Sequence, residues 1–119
     1  MILHILRRSE WEDARRAGSY APPSLGNEGF IHCSTEHQVV ATANLFFPGQ
    51  RDLVIIVIDQ SRLQSELKHE APASTGRQRS DGLFPHLYGP LNLDAVAAVH
   101  EFPCDGDGRF KLPAVLRTK

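Results

Sequence analysis

Leu53-Val54-Ile55-Ile56-Val57-Ile58 decides the architecture. Six consecutive apolar residues, mostly β-branched, read as a strand covered on both faces, because successive side chains point to opposite sides. Other elements must therefore pack above and below it. The run is the longest apolar stretch of the chain, and it is far short of the roughly 20 residues that cross a bilayer.

Upstream, Ile2 to Leu6 forms a short strand with one polar insertion, His4. Ser9-Glu10-Trp11-Glu12 fits a capping box and predicts a helix from about Glu10 to Ala17, closed by Gly18, with Trp11 and Ala14 inward. Tyr20 to Gly29, with two prolines and two glycines, reads as a surface loop. Phe30-Ile31-His32-Cys33 is a strand that runs into a second helix start at Thr35 and Gln38. Val39, Ala43, Phe46 and Phe47 share one face of that helix, which Pro48-Gly49 ends.

Downstream, Arg62 to Lys68 holds a helical turn, and a short extended segment surrounds His69-Glu70-Ala71. Pro72 to Gly82 is polar and reads as a mobile loop that covers a cleft when ligand binds. Pro85 and Pro90 hold Phe84-Pro85-His86-Leu87-Tyr88-Gly89-Pro90-Leu91 extended. Asn92 caps a turn over Leu93 to Val96. Ala97 to Phe102 is a strand, with Arg109 to Leu112 pairing back across Asp105-Gly106-Asp107-Gly108. Helices and strands without regular alternation give an α+β class, with residues 1–119 as a single domain.

Thirteen Lys and Arg against fourteen Asp and Glu leave a net charge of −1. Bulk attraction to nucleic acid or to an anionic membrane is therefore not expected. Cys33 and Cys104 are too few for a disulfide framework or a zinc site made of cysteines. The six histidines lack a metal-ligand spacing such as H-E-x-x-H. No metal is expected, and the chain reads as a soluble, reduced, cytoplasmic protein.

Two short histidine motifs carry the chemistry. His32 and Ser34 leave the same face of a strand just ahead of a helix N-terminus, where free amides favour an anion such as phosphate. The alternative is that Ser34 and Thr35 merely cap the helix. His86 and Tyr88 likewise share a face, suited to a flat heterocycle, or else Tyr88 ties down a proline-pinned turn. His32, Ser34, His86 and Tyr88 are expected to converge on one concave surface. His37 and His69 are expected to face solvent. Glu70, Asp59 and Glu101 all lie near strand ends as candidate carboxylates. Cys33 is a weaker candidate nucleophile, since buried cysteines are usually inert.

Gly29-Phe30-Ile31-His32-Cys33-Ser34-Thr35, with Gln38, and Phe84 to Leu91 together resemble the signatures of a bacterial family, domain of unknown function family 952. The strand containing His4, the helix with Trp11 and Leu93-Asp94-Ala95-Val96 fit it too. That family looks like a compact, divergent relative of the ADP-ribosyltransferase-like superfamily. The resemblance implies a split, mostly antiparallel sheet with two main helices around a cleft that takes NAD as substrate. It implies that His4, His32, Ser34 and Thr35 contact the dinucleotide and that Tyr88 stacks on nicotinamide. His32, Glu70 and His86 would be catalytic. A clear Ser-Thr-Ser strand and the arginine set of the RNA 2′-phosphotransferases are missing. The expected partner is a small nucleotide, acted on by an enzyme or held by a non-catalytic binding module. A histidine-based metal hydrolase is the third reading.

Overall fold

The computed structural model describes residues 2–71 and 82–116. The loop expected over 72–82 lies, apart from Gly82, outside the described residues. The chain order is β1 (Ile2–Arg7), α1 (Arg8–Ala17), β2 (Ser19–Tyr20), α2 (Pro23–Asn27), β3 (Ile31–His32) and α3 (Val39–Phe46). β4 (Leu53–Ile58), β5 (Glu66–Glu70), β6 (Phe84–Tyr88), β7 (Leu91–Asn92) and β8 (Val96–Glu101) follow. Single 3-10 turns occupy Gln60–Arg62, Leu93–Ala95 and Ala114–Leu116. None of the described helices is long and apolar enough to cross a membrane.

The strands form three antiparallel sheets, β1-β4-β8, β2-β7 and β3-β6-β5. β4 is the centre of the first, and its alternation builds both halves of the core. Val54, Ile56 and Ile58 join Ala14 of α1, Tyr20 and Leu91 of the β2-β7 pair, and Ile31 and Leu87 of the third sheet. Leu53 and Ile55 face the other way, onto Val39 and Ala43 of α3, Phe102 and Phe110. The result is a three-layer α+β fold with the first sheet in the middle. Leu3 and Ser34 exchange two backbone bonds of 2.8 Å, which ties the edge of β1 to the chain leaving β3.

Several local expectations are corrected. α1 begins at Arg8, and Glu10 rather than Glu12 closes its first turn, accepting from the Arg7 amide at 2.8 Å. Strand β1 delivers the chain to that point, so the helix starts two residues earlier than the Ser9 frame. The Tyr20 to Gly29 loop contains α2, because Pro23 at the first helical position is already set at a helical φ. The helical turn placed at Arg62 to Lys68 lies earlier, at Gln60–Arg62. There Asp59 accepts from the Ser61 amide at 3.0 Å, and β5 then runs from Glu66. Arg109 to Leu112 is not a strand. The Asp105–Gly108 turn closes on itself, while Phe110 packs on Phe102 and its amide donates to Asn44 at 2.8 Å. Phe46 is 52% exposed, and Phe47 packs on the core in its place.

Gly89 is required by both backbone and space. Its φ is +150°, and a Cβ there would overlap Ser65 Oγ and lie 2.9 Å from Ser65 Cβ. Ser65 cannot simply turn away, since its hydroxyl donates to Pro90 O at 2.7 Å. Gly89→Ala is expected to destabilise the domain by about 1–3 kcal/mol. Urea melts of the two proteins measure this, and an unchanged midpoint would contradict the steric account.

Candidate functional site

The third sheet has one face in the core and one outside it. Ile31 and Leu87 are opposite each other and both fully buried in the core. With a side-chain period of two, the cross-strand pair His32 and His86 must lie on the other face, with Phe30 and Tyr88. On β5, Lys68 is opposite His86, Glu66 is opposite Tyr88 and Glu70 is opposite Phe84. One sheet face thus gathers two imidazoles, a phenol, two carboxylates and an ammonium.

Glu70 is the hub. Its Oε1 accepts from Nδ1 of His86 at 2.8 Å and from the Tyr88 hydroxyl at 2.6 Å. Those two bonds, Tyr88 first, hold the carboxyl below its ordinary range. The carboxylate in turn raises the Tyr88 phenol, which stays protonated as a donor. An ionised carboxylate can only accept, so Nδ1 of His86 carries the hydrogen. Nε2 of a neutral His86 is then a lone pair available as a base. His86 is 2% exposed, with its ring stacked on Phe30 at 4.0 Å and 19°.

His32 lies beside it, ring centres 5.8 Å apart at 74°, and is about half exposed. Its Nε2 bonds Glu28 Oε1 at 2.7 Å. Each histidine therefore has its own carboxylate. Lys68 Nζ sits 4.8 Å from the centre of the Tyr88 ring, a cation–π contact.

His4 supports this face from below. Its Nδ1 donates to the His32 carbonyl at 2.5 Å, and its Nε2 accepts from the Tyr20 hydroxyl at 2.9 Å. Both ring nitrogens are thus engaged, and burial pushes its pKa down to about 4. Ser34, 4% exposed, turns its hydroxyl to Thr42 of α3 at 3.4 Å. The Thr35 amide donates to Gln38 Oε1 at 3.0 Å, and Gln38 Nε2 reaches Leu83 O at 2.7 Å, pinning the start of α3 beside β6.

The structure brings together His32, Glu70, His86 and Tyr88. It places Ser34 and Thr35 in the helix junction and His4 beneath His32. The other carboxylates are engaged elsewhere, Asp59 at Ser61 and Glu101 with Arg8 at 2.9 Å. Cys33 lies in the core, where burial pushes its thiol up to about 12. His37 and His69 are exposed. Among the described residues no three His, Cys, Asp or Glu side chains gather as a metal-binding group. Glu28, Phe30 and Lys68 were not anticipated. Phe30 could have been, since it precedes His32 by two on the same strand face. Glu28, four residues before His32, meets it within one local turn, whereas Lys68 meets the site only through the pairing of β5 with β6.

The domain is an antiparallel α+β fold in which His86 bonds Glu70 on one sheet face and His32, beside it, bonds Glu28. The chain belongs to the family described as "Protein of unknown function (DUF952)", which matches residues 5–99. It is similar to the crystal structure of protein CC0527 from Caulobacter crescentus, at 35% identity and a TM-score of 0.78 over 93% of each chain. The solution NMR structure of CC0527 is 34% identical with a TM-score of 0.77, covering 96% of this chain and 97% of that one. Among curated proteins none matches.

Proposed function

We propose that the chain acts on NAD or another ADP-ribose-containing nucleotide, as a divergent relative of the ADP-ribosyltransferase-like superfamily. The supporting observation is the Glu70 carboxylate, kept ionised by His86 and Tyr88 on the face that also carries His32. In this reading the bond between nicotinamide and ribose breaks and its electron pair leaves with the nicotinamide. Glu70 faces the positive charge left at the anomeric carbon. An acceptor hydroxyl attacks that carbon and its proton passes to Nε2 of His86. His32 contacts the ribose, and Tyr88 stacks on the nicotinamide ring once the exposed Lys68 swings off it. His4 contributes by holding the His32 backbone, and Ser34 and Thr35 by fixing the start of α3.

Incubation of the purified protein with NAD, followed by chromatography for free nicotinamide, tests the reading. Wild type is expected to release nicotinamide, and Glu70→Gln to do so at least about 100-fold more slowly. Saturating NAD, at 100 times its dissociation constant, should stabilise both proteins by about 2.7 kcal/mol in thermal melts. The double engagement of Glu70 Oε1 also suits a binding module, in which the carboxylate is a structural strut. Binding of NAD without release in wild type favours the module. Absence of both binding and release rejects the nucleotide reading.

A further inference from the structure

We propose that His32 and His86 form an acid–base pair for phosphoester cleavage, with a ribose 2′,3′-cyclic phosphate as the substrate class. The chemistry shares a face with the NAD reading but breaks a different bond and does not depend on it.

The geometry that carries it is the arrangement of the four ring nitrogens. The two imidazoles are a direct cross-strand pair with centres 5.8 Å apart. Glu28 engages Nε2 of His32, and Glu70 engages Nδ1 of His86. Among the described residues, Nδ1 of His32 and Nε2 of His86 have no hydrogen-bond partner. Among the described residues no buried side-chain nitrogen or oxygen lacks a partner, and His86 as a whole is 2% exposed. Among the described residues each ring therefore has one nitrogen held by a carboxylate and one without a hydrogen-bond partner. A carboxylate in that position holds the tautomer and stabilises the imidazolium formed on protonation. Lys68, directly across from His86, is the cation of β5 on this face, where Glu66 and Glu70 flank it.

With a cyclic phosphate held against the edges of both rings, water attacks phosphorus and loses its proton to Nε2 of His86. The new bond is from water oxygen to phosphorus, and the bond broken joins phosphorus to one ribose oxygen. That oxygen takes the electron pair and receives a proton from Nδ1 of a protonated His32. Solvent then returns a proton to His32 and removes one from His86. Nothing is oxidised or reduced.

The test incubates the protein with 2′,3′-cyclic AMP in EDTA and separates 2′-AMP from 3′-AMP by chromatography. Wild type is expected to yield mainly one isomer, because a fixed acid protonates one leaving oxygen. His32→Ala and His86→Gln should each slow the reaction at least about 100-fold. His32 is half exposed, so its variant should melt like wild type and keeps the test decisive if His86→Gln fails to fold. Hydrolysis no faster than in buffer, or an undiminished rate in His32→Ala, overturns the proposal. Nicotinamide release from NAD, assayed alongside, separates the two readings. Release without cyclic phosphate hydrolysis rejects only the acid–base pair, and hydrolysis with neither binding of NAD nor release rejects only the NAD reading.

Discussion

Ile56→Ala is expected to cost about 2–5 kcal/mol, and Ile55→Ala a similar amount, although the two side chains never share a cavity. Both residues are fully buried on β4. Ile56 projects into the half of the core built with α1 and the β3-β6-β5 sheet, and Ile55 into the half built with α3, Phe102 and Phe110. Each truncation removes apolar contacts and leaves a void that a strand paired on both sides cannot close by moving. The two losses together approach the roughly 5–15 kcal/mol that holds a small domain folded. The double variant should therefore be largely unfolded at room temperature. Urea melts check the single variants, with Val99→Ala as a control at a 38% exposed position of β8. A loss below about 1 kcal/mol for either isoleucine would contradict the two-sided core.

Acid should weaken the fold through His4 before the carboxylates respond. Its folded pKa of about 4 lies below the ordinary 6.5 because burial disfavours the charged ring. The unfolded chain thus takes up the proton first as pH falls. Stability is full above about pH 6.5 and declines toward pH 4, by up to about 3 kcal/mol for this group. Glu70 and Asp59, both held below the usual carboxylate range, contribute only at lower pH. His4→Gln retains a donor for the His32 carbonyl but has no proton to gain. Its stability should accordingly vary less between pH 7 and pH 5 than that of wild type, measured by urea melts at each pH. Parallel curves for the two proteins would remove His4 as the acid-sensitive group. Because His4 bonds the His32 backbone, the same protonation should loosen the floor of the histidine face.

Much of this protein was legible in one dimension. The apolar run of β4 implied layers on both sides, and a period of two placed His32 with its face and His86 with Tyr88. Such features depend on neighbours a few residues apart, where side-chain direction follows directly from backbone geometry. Gly18, at φ +88°, ends α1 for an equally local reason. Helix starts were less legible because strand β1 and the Pro22-Pro23 pair, rather than the nearest hydroxyl, decided where α1 and α2 began.

The site itself was decided in three dimensions. Nothing in the spacing distinguished Glu70 from Asp59 or Glu101, since all three end strands. Antiparallel pairing of β5 with β6 brought Glu70 to His86 and Tyr88, while a 3-10 turn and Arg8 engaged the other two. The opposition of His32 and His86 across 54 positions depends on the register of β3 against β6. The sequence by itself determined which residues alternate toward the core and which away from it. Tertiary structure decided which outward residues meet, because register and sheet order are set by burying Ile31 and Leu87 against β4, a condition that no local stretch contains.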